Sequence, residues 1–211
     1  MKVSNSKEKI LKKIRQALST PVPVPFPQSE GTESVFQPAV QAPEIEFAEN
    51  FTKLLGKFSF CLNEREFVQQ FQMLVSSRRW QKIYCREDSW KAILHQNGLN
   101  QAFSNDLSTC DASVTGCELL IARTGSILLS TAQKSGRTVS VYAPVHICIA
   151  YIDQLVYDIK DALVKMKEKY GENLPSVLTF ATGPSRTADI EKTLVVGVHG
   201  PKEVFCFLIE R

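Results

Sequence analysis

Residues 182–201 read TGPSRTADIEKTLVVGVHGP, and this stretch gathers the side chains best suited to hold an anion. The strand-like run VLTFA (177–181) leads straight into Thr182, Gly183, Pro184, Ser185, Arg186 and Thr187. At a helix start, backbone N–H groups and the hydroxyls of Ser185 and Thr187 face a phosphate or carboxylate. Arg186 supplies a two-pronged guanidinium for the same oxygens. The same residues also make an ordinary helix cap, with Arg186 paired to Asp189 or Glu191, and spacing does not choose between the two. The string is not a Walker A loop, and the chain has no GxGxxG, GxSxG or HExxH.

Two further loops carry candidates. Between Cys117-Glu118 and Ser126 lies Arg123-Thr124-Gly125-Ser126, where Gly125 permits close backbone approach and two hydroxyls flank it. A plain tight turn with glycine in the left-handed region explains the same letters. The third loop is Val198-His199-Gly200-Pro201. A histidine in such a turn can carry a proton, or it can simply be hydrogen-bonded into the structure. His146 reads as the latter and His199 stays open. Two histidines without a third ligand make no metal site. Open α/β sheets bind ligands at the carboxyl ends of their strands, where all three loops are expected.

The elements that must position these loops follow from periodicity. Residues 4–19 predict a helix with Ile10, Leu11, Ile14, Ala17 and Leu18 on one face and bases on the other. It either docks on a domain or grips a separate partner. Residues 20–43 hold six of the ten prolines and predict an extended linker, a spacer or a proline-recognition ligand. Residues 44–211 form the globular part. Helices are expected around Phe47 and Phe51, around Phe67 and Phe71, around Trp90 and Leu94, and over residues 152–170, the clearest one. KIYC (82–85) is a short strand, and VLTFA and VFCFLI (204–209) read as strands covered on both faces. Alternating strands and helices predict an α/β domain with a mainly parallel sheet.

Composition sets the outer limits. With 211 residues, 44% hydrophobic and 22% charged, the chain can bury a core without disulfides or metals. No run nears the roughly 20 apolar residues of a membrane span, and no apolar region follows the basic start, so neither a span nor a secretory signal is expected. Residues 1–20 carry six bases and one acid, while the remainder carries 19 bases and 21 acids. The body is therefore no general basic surface, and no nucleic-acid partner is expected. Six cysteines show no CxxC, zinc-finger or iron–sulfur clustering, and a cytoplasmic, reduced setting is expected.

The string TGPSRTADIE…GVHGP, with ARTGSILLS (122–130), Gly136-Arg137 and Ala143-Pro144-Val145-His146, resembles the lactate utilisation protein C family, or LUD domain, over roughly residues 50–211. The resemblance implies a Rossmann-like α/β sheet of the sugar-phosphate isomerase and CoA transferase type. It implies a role in oxidising L-lactate to pyruvate beside two iron–sulfur subunits, with the clusters in those partners and no cofactor bound directly. On that reading, Glu118 and His199 are the candidate proton carriers. Thr124, Gly125, Ser126, Gly183, Pro184, Ser185, Arg186, Thr187, Asp189 and Gly200 form a pocket for a small anion, lactate or a nucleotide-like phosphate. Arg123 departs from the family's usual small, polar or acidic residue there and bears on the pocket's charge preference. The alternatives are a stand-alone enzyme acting on a phosphorylated or CoA-linked small molecule and a non-catalytic scaffold or regulator.

Overall fold

A computed structural model describes residues 5–19, 38–99, 103–187 and 195–210. The chain divides into two units, residues 1–38 and 39–211. In the first unit, helix α1 spans Asn5–Leu18.

The second unit is built on a six-stranded sheet. Its strands are β1 (Lys57–Cys61), β2 (Ile83–Cys85), β3 (Phe103–Ser104), β4 (Ala112–Thr115), β7 (Val145–Tyr151) and β12 (Glu203–Ile209). They lie in the order β1-β12-β7-β4-β2-β3, and every neighbouring pair is parallel. The chain runs outward from β2 to β3 and then returns past β2 to β4, so the order reverses between β2 and β4. A crevice opens at such a reversal, at the carboxyl ends of the strands.

A second sheet of four strands lies over one face. It comprises β5 (Leu119–Ile121), β6 (Ser126–Ser130), β8 (Leu155–Val156) and β9 (Leu178–Ala181), ordered β8-β5-β6-β9. Here β6 is antiparallel to both β5 and β9. Among the described residues, a two-stranded ribbon of β10 (Arg186–Thr187) with β11 (Val195–Val196) is the remaining strand pair.

Three cores hold the layers together. Helices α3 (Glu64–Arg78) and α4 (Asp88–Gln96) cover the outer face of the main sheet, where Phe67, Phe71 and Trp90 pack on Val114, Ile147 and Phe207. Between the sheets, Phe47 and Phe51 of α2 (Pro43–Lys53) join Cys148, Cys206, Leu120 and Ile127. Helix α6 (Ile159–Tyr170) closes the far side with Ala162 and Met166 on Leu119, Ile121 and Leu128. Each fully buried aromatic contributes roughly 2 to 3 kcal/mol by area, so these faces hold the fold without a crosslink. All six cysteines are free and buried.

Several elements differ from the sequence expectation. Residues 152–170 are not one helix. A 3-10 turn (Ile152–Gln154) and β8 come first, because Leu155 and Val156 pair with Leu120 and Ile121 of β5. The helix then restarts at Asp158, whose carboxylate accepts the Lys160 N–H while Asp161 accepts the Asp158 N–H, each at 3.0 Å. Strand β9 is an edge strand of the small sheet with Thr179 and Phe180 exposed, not a strand covered on both faces. A short helix, α5 (Val139–Tyr142), which is not among the expected elements, precedes β7. Among the described residues, no helix is long and apolar enough to cross a membrane.

Candidate functional site

The hairpin tip between β5 and β6 is fixed to α2. The Asn50 amide donates to the carbonyls of Ala122 (3.0 Å) and Arg123 (3.1 Å). Gly125 has φ +59°, and a Cβ there would lie 2.5 Å from the Phe51 nitrogen, so the tip seats only with glycine. The tip is thus the tight turn that its letters also allowed. The Arg123 guanidinium pairs with Asp158, the N-cap of α6.

From the tip, a chain of hydroxyls leads to the second motif. Thr124 Oγ1 lies 2.8 Å from Ser126 Oγ, which lies 2.9 Å from Thr182 Oγ1. Gly183, at φ +85°, passes so close to α2's end that a Cβ would sit 2.4 Å from the Leu54 carbonyl oxygen. The second and third motifs interlock in turn. Ser185 N–H donates to the Pro201 carbonyl (3.0 Å), Gly197 N–H donates to the Ser185 carbonyl (2.8 Å), and the β10–β11 ribbon pairs Arg186 with Val196. Lys202 N–H reaches the Pro144 carbonyl at 2.8 Å, joining this cluster to the start of β7.

Beside the interlocked loops opens a cleft of about 530 Å³. Tyr142, His199, Gly200 and Lys202 line it, with Val141, Pro144, Gly197 and Val198. Among the described sequence candidates, His199 and Gly200 are on its wall. Thr124, Gly125, Ser126, Gly183, Pro184 and Ser185 form the framework that holds the wall. Arg186 is exposed on β10. Thr187 is in the same ribbon, and Asp189 lies outside the described residues. Two cleft residues escaped sequence reasoning, Tyr142 and Lys202. Lys202 directly follows the GVHGP string, which was the available signal.

Glu118 is elsewhere. It lies just past the carboxyl end of β4, whereas His199 precedes the amino end of β12, and the two strands run parallel in one sheet. The two proton-carrier candidates therefore occupy opposite ends of the sheet and do not share a pocket. The loops of the second and third motifs are not at carboxyl ends of the main sheet either, because β9 belongs to the small sheet and residues 197–202 lead into β12.

The Glu118 carboxylate accepts from Ser130 Oγ (2.5 Å), Tyr170 OH (2.7 Å) and Lys169 Nζ (2.7 Å). Burial raises its pKa, but the three donors outweigh burial and hold the group below the ordinary carboxylate range. A carboxylate so saturated is a weak proton acceptor and a firm anchor for Lys169 and Tyr170. It borders a crevice of about 420 Å³ shared with Glu87, Lys134 and Lys169, at the reversal of strand order. Glu87 accepts the Gly116 N–H at 3.0 Å and the Ser135 hydroxyl. A Cβ at Gly116 would lie 2.9 Å from that carboxylate, so Glu87 sits against bare backbone. Glu87 went unread in the sequence, although it follows a strand end.

His146 is buried within β7, its Nε2 2.8 Å from Thr115 Oγ1, and burial lowers its pKa to about 4. It is a neutral, hydrogen-bonded interior residue near neutral pH.

A sequence profile of the LUD domain matches residues 44–209. Lactate utilization protein C of Bacillus licheniformis is 30% identical over 134 residues, covering 63% of this chain and 54% of that one. The protein of the same description from Deinococcus radiodurans is 36% identical over 100 residues, covering 47% and 46%. The chain spans about half the length of these curated relatives. The crystal structure of a DUF162 family protein from Deinococcus radiodurans superimposes with a TM-score of 0.60 at 19% identity, covering 79% of this chain and 96% of that one, which shows a shared fold. With the profile spanning both sheets and all three motif loops, the chain belongs to the LUD domain family.

Proposed function

We propose that this chain serves lactate utilisation as a cytoplasmic, anion-binding subunit that works beside two iron–sulfur subunits. The relatives' shared description as lactate utilization protein C supports the pathway. The observation that carries the subunit's own part is the cleft of about 530 Å³, which Lys202, His199 and Tyr142 line together. A cation and two polar rings around a cleft of this kind suit an anion whose remaining atoms are not strongly charged.

The cleft is roomier than a three-carbon acid requires, which favours a larger anion such as a nucleotide-like phosphate over lactate alone. Lys202 neutralises the anion, and His199 and Tyr142 orient it. Oxidation of lactate to pyruvate releases two electrons and two protons; the electrons would go to iron–sulfur clusters held by the partner subunits and the protons to solvent.

Affinity capture of the tagged full chain, under anaerobic conditions from source cells grown on lactate, tests the assembly. Co-eluting iron, labile sulfide and lactate-dependent dye reduction are expected. An iron-free eluate without that activity, even after mild crosslinking, overturns the subunit reading.

A further inference from the structure

Helix α1 has a feature that neither the cleft nor the crevice uses. Its apolar residues Ile10, Ile14 and Leu18 are 58%, 48% and 79% exposed, and Leu11 beside them is 38% exposed. At 100° per residue these four and Ala17 form a single stripe about one-third of the circumference wide. Arg15 borders the stripe on one side and Lys13 on the other, while Lys9 and Lys12 occupy the back. Lys7 lies in line with the stripe one turn before Leu11, with a stem long enough to carry its ammonium outward. Glu8 is the helix's one acid.

We propose that α1 is a lipid-surface anchor that lies in the headgroup layer of an anionic membrane. Charge complementarity carries this choice. Residues 1–20 hold six bases against one acid, five of those bases on α1, whereas the other 191 residues carry a slight excess of acids, so the positive charge is concentrated at this helix. An anionic bilayer offers dense negative charge directly above an apolar layer, and bases flanking an aliphatic stripe match both at once. A protein groove is the poorer fit. The stripe has no aromatic side chain to serve as the rigid anchor on which groove binding usually depends, and a fluid interface needs none.

A helix of 14 residues is marginal alone in water, so the surface also stabilises it.

The test is co-sedimentation of the full chain with vesicles of phosphatidylcholine alone and of an equal mixture with phosphatidylglycerol. Binding to the mixed vesicles only is expected, falling as salt rises from about 0.05 to about 0.3 M. The triple variant Lys9→Glu, Lys12→Glu, Lys13→Glu should lose at least about 100-fold in affinity. Ile10→Ser with Ile14→Ser should lose on the order of 10-fold or more. All these positions are exposed, and thermal melting of the α/β unit serves as the folding control. Equal binding to both vesicles, no binding to either, or an unchanged triple variant overturns the anchor. So does capture of an acidic protein through α1 when the mixed vesicles do not bind.

Discussion

Ser126 Oγ and Thr182 Oγ1 lie 2.9 Å apart, and this bond joins the β5–β6 hairpin tip to the segment that follows β9. The two residues are 56 positions apart in sequence, and each belongs to a different motif. Ser126 is buried, so Ser126→Ala leaves Thr182 with one partner fewer in a dry setting. Either Ser126→Ala or Thr182→Val should cost about 1 to 2 kcal/mol in urea unfolding. A double-mutant cycle should show a coupling of about 0.5 kcal/mol or more, because the residues share one contact. Strict additivity would mean that the hydroxyl chain does not tie the motifs.

Gly125→Ala tests the seat of the same hairpin. Its positive φ and the approach of the Phe51 nitrogen both exclude a side chain. The cost should reach about 3 kcal/mol or more, since a backbone atom cannot move aside as a flexible side chain can. Gly136→Ala is the comparison, because it also has positive φ but no atom within 4 Å of its Cβ. It should cost only about 1 kcal/mol, and equal losses at the two sites would contradict the packing argument.

Glu118 gives an acid-side prediction. Its folded pKa lies below the ordinary 4.5, so it stabilises the fold fully above that range and progressively less as pH falls through the depressed value. Glu118→Gln keeps the shape but removes the charge that holds Lys169 and Tyr170. It should cost about 1 to 3 kcal/mol at pH 7 and flatten the stability curve below pH 4.5. Denaturant melts across pH 3 to 7, in about half-unit steps, check both. Because the residue is distant from the cleft, ligand affinity there should stay unchanged.

His146 acts in a different window. Its folded pKa of about 4 lies below the ordinary 6.5, so between these values the unfolded chain holds a proton that the folded chain refuses. Stability should therefore fall as pH drops from 6.5 toward 4 and level off below, by roughly 3 kcal/mol in total. His146→Gln should remove this slope while leaving the Glu118 slope at lower pH. A wild-type curve flat between pH 6.5 and 5 would contradict the buried neutral imidazole.

Much of the fold was legible in the sequence because its signals are local. Phe67 and Phe71 one turn apart mark α3, and the unbroken VFCFLI marks a strand covered on both faces. The motif loops were legible by their letters, and the structure does bring residues 124–126, 183–185 and 200 together. The position of Glu118 was not legible. It is only six residues before Thr124, yet β5 carries the chain from the carboxyl end of the main sheet to the hairpin tip on α2, and no local pattern announces that a strand joins a second sheet. The break at Asp158 was hidden for a related reason. Leu155 and Val156 keep helical spacing with Ile159, and only their pairing with β5 makes them a strand.

Complementation on lactate tests the role of the cleft most directly. The chromosomal copy is deleted, and growth on lactate as sole carbon source is followed with plasmid-borne variants of matched expression and melting temperature. Wild type and the control Glu172→Gln, an exposed residue just past α6 that does not line the cleft, should restore growth, while His199→Ala with Lys202→Ala should not. In the purified chain the same pair should weaken binding of a nucleoside monophosphate probe by about 10-fold or more. Full growth with the paired variant, or a deletion strain that grows on lactate unaided, would contradict the account.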